Sequence, residues 1–413
     1  MVAYLDHAAT TPIRPEARRA MLALMSEPGF GNPSGAHSVA RAARRAVEDA
    51  REVVAAALGA EPSQVVFTGG GTESDNLAVA GRSPRGHILC SAVEHDAVLE
   101  SVRAAGGTTV GVNPEGQVDL DDLKRALGAE PAPAAAPPTP AAPPGSARGS
   151  APTPASLVSV MTANNETGVV QPLDRVIGIT RRKAPAALVH TDAVQAVNWL
   201  DPAAATAGAD LVSISAHKFG GPQGVGALVV RNAADLDVTV HGGGQEAGRR
   251  SGTHNVAGIA GLAAALAVVQ EDREALVKRV GDLRDRLADG LLASVPGAVE
   301  TGRREDKVAG ICHLCIPGVE SEALVFLLDQ AGVCASAGSA CASGATQVSH
   351  VLRAMGVPEE LARGALRLSL GWTTTEEDVD AALEAVPAAV ARLRSSAAAV
   401  PAVRAPSPAR SAR

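Results

Sequence analysis

The chain predicts an α/β fold: a mainly parallel sheet covered by helices, followed by a smaller C-terminal α/β section. Three observations carry that expectation. Short, nearly continuous β-branched runs alternate with helical segments through the first part of the chain, the pattern of strands buried on both faces by crossover helices. A long amphipathic stretch from about Val256 reads as one helix. Beyond it, AGICHLCIP and LRLSLG read as strands set between further helices.

Taken in order, Glu16 to Gly59 is helical, with apolar residues three and four apart, broken by the turn-rich GFGNPSGAH at Gly29–His37. The strands then read VVFT at Val65, HILCSA at His87, LVSVM at Leu157, ALVHTD at Ala187, DLVSIS at Asp210 and VGALVV at Val225. Residues 131–154 hold nine of the 27 prolines among Ala, Ser, Thr and Gly. Such a segment buries too little apolar area to offset its ordering entropy, so a disordered surface insertion is expected there. From Ser395 the chain is Arg, Ala, Pro, Val and Ser without an acid, which reads as a frayed basic tail.

Composition narrows the function. Of 413 residues, 46% are hydrophobic and only 2% aromatic, so the core is aliphatic and ring stacking on nucleic acid is disfavoured. A net charge of −7 argues against a polyphosphate partner. The longest uncharged apolar run, Val256–Val269, suits a buried helix and is too short for a bilayer. The N-terminus shows no secretory pattern, and five cysteines make no disulfide scaffold, so a reducing cytoplasm is the expected setting.

Lysine is rare: Lys124, Lys183, Lys218, Lys278 and Lys307 are the whole set. Lys218 lies in SISAHKFGGPQGVGALVV, after a strand and beside Ser215 and His217. A lysine so placed can have its pKa lowered enough to form an imine. Asp192, in VHTDAVQ, ends another apolar strand, the edge at which α/β proteins bind ligands. Its carboxylate suits a pyridinium nitrogen, and Gln195 could reach a phenolic oxygen on the same ring. FTGGGTESDNLAV, from Phe67, is a strand, a Gly-rich turn and a helix start, a small cup for phosphate. Alone, each has a plainer reading: a solvated loop lysine, a helix N-cap, a common glycine turn. Together they describe a pyridoxal-phosphate site.

These segments, with YLDHAATTP at Tyr4, VEHDAVL at Val93, ANNETG at Ala163, GGGQEAGRRSGT at Gly242, GSACASG at Gly338 and LRLSLG at Leu366, resemble the signatures of the cysteine desulfurases. That group belongs to the fold-type I, class V aminotransferase-like enzymes. The motifs are collinear from about Tyr4 to Val390. The resemblance implies pyridoxal 5'-phosphate, a mainly parallel seven-stranded-type sheet, and conversion of L-cysteine to L-alanine. Lys218 would be the Schiff-base residue, and His95 would stack on the ring and handle protons. Asp192 would hold the ring nitrogen. Asn165 and Gln195 would bond the phenolic oxygen and orient substrate. Gly71, Thr72, Ser215 and His217 would bind phosphate, with Thr253 of a second subunit in a homodimer. Arg367 would grip the substrate carboxylate.

In the same way, Cys341 would receive the sulfur as a persulfide, for iron–sulfur scaffold proteins or a tRNA thiolase. Its flanking small residues suggest an exposed, travelling thiol, one that could also bind an iron–sulfur cluster transiently. No resident metal is expected. Cys312 and Cys315 lack a second ligand pair and read as strand packing, as do Cys90 and Cys334. The implied domains are 16–262 for the cofactor, 1–15 with 263–394 carrying the cysteine loop at 335–350, and a tail at 395–413. His7 stands where Asn is common, and GGGT where SGAT is common. Another class V reaction, a selenocysteine lyase or transaminase, is the nearest alternative. A non-catalytic sulfur carrier is a different class of answer and leaves Asp192, Lys218 and the cup without a task.

Overall fold

A computed structural model describes residues 2–26, 30–128, 154–232, 235–338 and 348–399. The bulk of the expected insertion, the cysteine of GSACASG and the end of the tail therefore lie outside the described residues.

In chain order the strands are β1 (Ala3–Tyr4), β2 (Val65–Thr68), β3 (His87–Ser91), β4 (Thr108–Val110), β5 (Ala155–Ser159) and β6 (Leu188–Asp192). They continue with β7 (Leu211–Ser215), β8 (Gly226–Val230), β9 (Val299–Glu300), β10 (Ile311–Cys315), β11 (Val333–Cys334) and β12 (Ala365–Ser369). Seven form one sheet in the order β2-β8-β7-β6-β5-β3-β4. Pairing is parallel from β7 through β4, and β8 alone runs against its neighbours. The six strands read from sequence are all in it. The seventh, β4, is an edge strand of three residues with two exposed threonines, too short to show a pattern.

Successive residues along these strands enter different cores, as a two-residue period requires. Val65 and Phe67 enter the core shared with the helix Ser38–Leu58, and Val66 enters the one shared with the helices Gly71–Ala80 and Asp96–Ala104. Leu157 and Val158 divide in the same way. Leu, Val, Ile and Ala fill these layers, and Phe219 is the largest fully buried side chain.

The helical stretch at 16–59 forms two helices, Pro15–Met25 and Ser38–Leu58. The second ends on Gly59 at φ 60, whose N–H reaches the carbonyls of Ala55 and Ala56, a left-handed cap that glycine adopts without penalty. Arg51 of that helix is bidentate to Glu246, both N–H···O distances being 2.8 Å. The same carboxylate accepts the Phe67 N–H at 2.8 Å and faces His254 Nε2 at 2.6 Å.

The long helix runs Val256–Ser294, 39 residues, capped by the Asn255 side chain on the Gly258 N–H. The domain boundary placed at 262/263 falls inside this unbroken helix, which packs against both helices before β2 and against the last helix, Glu376–Ala399. That last helix takes in Ser395 through Ala399, so the tail begins later than its composition suggested. β10 and β12 pair antiparallel, and β1 pairs with β11, bringing the start of the chain to the C-terminal section.

Candidate active site

A cavity of about 310 Å³ opens where the carboxyl ends of β6 and β7 meet the chain's first residues. Asp192, the last residue of β6, and Lys218, three residues after β7, both line it. Short parallel strands ending in polar residues put both groups at one sheet edge, which is why the two motifs converge. His95, Asn165, Gln195, Gly71, Thr72, Ser215, His217 and Arg367 line it too.

Asp192 is 5% exposed, and its Oδ1 accepts the Val194 N–H at 2.8 Å. Burial raises its pKa; nearby His95 and Lys218 and that N–H pull the other way. Lys218 Nζ donates to the carbonyls of Ala8 at 2.6 Å and Ala9 at 2.8 Å. Gln195 Nε2 donates to the same Ala8 carbonyl at 2.9 Å. Its amide nitrogen is thus turned toward the backbone.

His95 precedes the helix Asp96–Ala104, and its Nδ1 accepts the Ala97 N–H at 3.1 Å. A neutral ring held this way carries its proton on Nε2. Arg367, in mid-β12, donates from Nη1 to the Asn165 carbonyl at 2.9 Å and pairs through Nη2 with Asp6 Oδ1 at 2.8 Å. Its Nε is buried and has no hydrogen-bond partner.

The anion cup sits at the start of the helix Gly71–Ala80. A Cβ on Gly71 would lie 3.0 Å from Val194 Cγ2 and 3.5 Å from Ser215 Cβ. Glycine therefore keeps this cradle open while exposing backbone N–H groups at a ten-residue helix N-terminus. The cup continues into an open cleft lined by Thr10, Gly70, Ser215 and Gln223. His217 Nδ1 lies 3.1 Å from Thr10 Oγ1; burial, with the Lys218 charge, lowers its pKa to about 4 and keeps it neutral near pH 7.

Thr253 is exposed and lines neither cavity nor cleft. Cys341 lies outside the described residues; Gly338, which lines the cavity, and Val348 bracket its segment. Cys312 and Cys315 are buried in β10, with burial pushing the Cys312 thiol up to about 12. Among the described residues no cluster of His, Cys, Asp or Glu is gathered to hold a metal. No described helix is long and apolar enough to cross a membrane.

Sequence reasoning passed over Asp6, Ala8, Asp75, Met161, Val194 and Gly338. Asp6 and Asp75 stood inside quoted motifs, YLDHAATTP and GGGTESDN, which was the available signal. His7, at the departure from the common pattern, is buried beside Tyr4 with its Nε2 3.3 Å from Thr373 Oγ1. Its ring occupies the space a Cβ on Gly371 would need.

The donor set fits pyridoxal phosphate. One cavity holds a primary amine, a buried carboxylate with a single hydrogen bond, and a glycine cradle that a Cβ would fill.

The family model for aminotransferase class V matches residues 3–135 and 151–382. Its gap, 136–150, falls within the proline-rich stretch. The IscS-like cysteine desulfurase of Mycobacterium tuberculosis is 42% identical over 411 residues, covering 96% of this chain and 98% of the relative. The cysteine desulfurase IscS of Methanosarcina thermophila is 39% identical, covering 95% and 92%. Among solved structures, a NifS-like protein superposes with a TM-score of 0.83 at 32% identity, over 95% of this chain and all of the other. DndA from Streptomyces lividans does so at 0.69 and 34%, over 89% and 99%. Motif order, sheet and near-complete coverage agree, and the chain belongs to the class V aminotransferase family.

Proposed function

We propose that the chain is a pyridoxal-phosphate-dependent cysteine desulfurase that turns L-cysteine into L-alanine and leaves the sulfur as a persulfide on Cys341. The observation that carries this reading is the convergence of Lys218, Asp192, His95 and Arg367 on one cavity beside Gly338, next to the cysteine segment.

Lys218 would hold the cofactor by its amine, Asp192 its ring nitrogen, and Gly71, Thr72, Ser215 and His217 its phosphate, with the partner subunit of a homodimer adding its own Thr253. Bound there, the cofactor supplies an electron sink that acidifies the substrate Cα–H and loosens the Cβ–S bond. Arg367 takes the substrate carboxylate, using the donors that Asp6 and Asn165 hold in a fixed plane. Released when the substrate amine takes its place, the Lys218 amine, steered by the Ala8 and Ala9 carbonyls, would remove the Cα proton and later return one to carbon. His95 presents an Nε2 proton to the substrate side. The Cys341 thiolate attacks the substrate sulfur; the Cβ–S bond breaks and an S–S bond forms, so cysteine plus thiol gives alanine plus persulfide. Sulfur then passes to acceptor proteins, an iron–sulfur scaffold or a tRNA thiolase, in the cytoplasm.

The test is purified protein loaded with the cofactor and given L-cysteine. Alanine should form, and alkylation followed by mass analysis should find the extra sulfur on Cys341. Cys341→Ala should keep the yellow colour and stop turnover. Full turnover by that variant, or pyruvate as product, overturns the reading.

A further inference from the structure

Asp75, on the helix Gly71–Ala80, lines the same cavity as Asp192 and has no task in the reaction as described. It is 1% exposed, and its Oδ1 has no hydrogen-bond partner although His190 Nε2 lies 3.6 Å away. His190 and Asp192 share one face of β6, two residues apart. From β7 the Ser213 hydroxyl hydrogen-bonds the Asp75 carboxyl and favours its charged form, but burial and the neighbouring Asp192 outweigh it. Ahead of the helix Asp96–Ala104, Glu94 is fully buried; its Oε1 accepts the Met161 N–H at 2.8 Å and its Oε2 is unpaired.

The charged groups bearing on Asp75 are thus acids, Asp192 and Glu94. His190 is no counter-charge. Its Nδ1 meets Ser159 Oγ at 2.8 Å and its Nε2 meets Ser213 Oγ at 3.0 Å, while burial lowers its pKa to about 3. Asp192, by contrast, has the Val194 N–H and the nearby Lys218 charge. Two carboxylates in one dry site do not both ionise; the better-solvated one takes the charge.

We propose that Asp75 is a positioning residue that keeps its proton, so that Asp192 carries the pair's single negative charge into the cavity. The purpose of the pair rests on the cofactor reading; its geometry does not. Were Asp75 charged instead, Asp192 would take the proton and meet a ring nitrogen as a neutral acid. The Ser159–His190–Ser213 string beneath tolerates a proton on Asp75, because each hydroxyl donates or accepts as needed.

Infrared spectroscopy of the full chain, with and without cofactor, tests this through the C=O stretch of protonated carboxyls at pH 7. Burial raises Glu94 and Glu166 as well, so the reading is a difference. Asp75→Asn should remove the amplitude of one carboxyl; unchanged amplitude overturns the proposal. Asp192→Asn should keep that amplitude and lower the pH at which it titrates by about one unit or more. An unmoved midpoint means that burial alone keeps Asp75 neutral, and the pairing falls. Should Asp75→Asn not fold, carbon-13 labelling of aspartate carboxyls should show one protonated resonance at pH 7 that persists in Asp192→Asn; its absence overturns the proposal. None of these readings needs turnover. A protein that refuses the cofactor yet shows the band sinks the desulfurase reading alone, and an active yellow protein without the band sinks only the acid pair.

Discussion

Glu246 and Asp192 are buried to a similar degree, 8% and 5% exposed, yet their carboxylates keep different company. Glu246 meets Arg51 twice, the Phe67 N–H and His254. Burial alone would raise its pKa, but the Arg51 and His254 hydrogen bonds outweigh it and bring the value to about 2. Asp192 has one N–H, and its pKa moves up. The chain even holds Glu246 and Ala247 at φ 52 and 54, unusual for residues with side chains, to complete the first arrangement. A buried acid with every lone pair met is structural; one left short either keeps its proton or is open to a ligand.

Four variants press on this contrast. Lys218→Ala should lower desulfurase activity by ~10⁴-fold or more and abolish borohydride trapping of the cofactor. Retained trapping would mean that the amine at the incomplete end is not the anchor. Glu246→Gln should leave Arg51 short of its counter-charge and cost about 3 kcal/mol of stability near neutral pH. Because the folded pKa lies below the ordinary 4.5, that stability is complete above pH 4.5 and fades as pH falls toward about 2. Denaturation midpoints at pH 7 and pH 3 should show the gap between wild type and variant narrowing; a constant gap refutes the assignment.

Asp192→Asn should cost ~10²-fold in activity, the scale of removing one preorganised electrostatic partner. Its effect on stability has the opposite sign. An acid whose folded pKa is raised loses stability as pH climbs from 3.8 toward the folded value, so the amide should melt at or above wild type at pH 7. A clearly lower melting point would make Asp192 a second Glu246. Cys312→Ala is the smallest change, about 1 kcal/mol of lost packing in β10 with turnover within about twofold. Alkylation should likewise spare Cys312 in the folded protein, since its thiol is held near 12.

The sheet was largely legible because β-branched runs such as LVHTD and LVSIS are buried on both faces and need no partner to be recognised. β4 and the two-residue strands β1, β9 and β11 were not, since two or three residues are too few to carry an alternating pattern. The cavity's own residues were found through their motifs, Lys218, Asp192 and His95 among them. Asp6 was missed because its partner, Arg367, is 361 residues away, and Asp75 because its meaning depends on a second acid from another strand. The helix over Ser395–Ala399 was missed because composition registers charge balance, whereas the helix simply continues an alanine-rich run already packed on the body.

The opening residues have one more consequence, for synthesis. Asp6, Ala8, Ala9 and Thr10 touch Arg367, Lys218, Gln195 and His217, and Ala8 N–H reaches the Ser369 hydroxyl. This segment therefore finds its seat only once β12, 361 residues further along, is present. Without β12 the Ala8 and Ala9 carbonyls lose their anchors at Ser369 and Arg367, and the Lys218 amine loses its fixed partners.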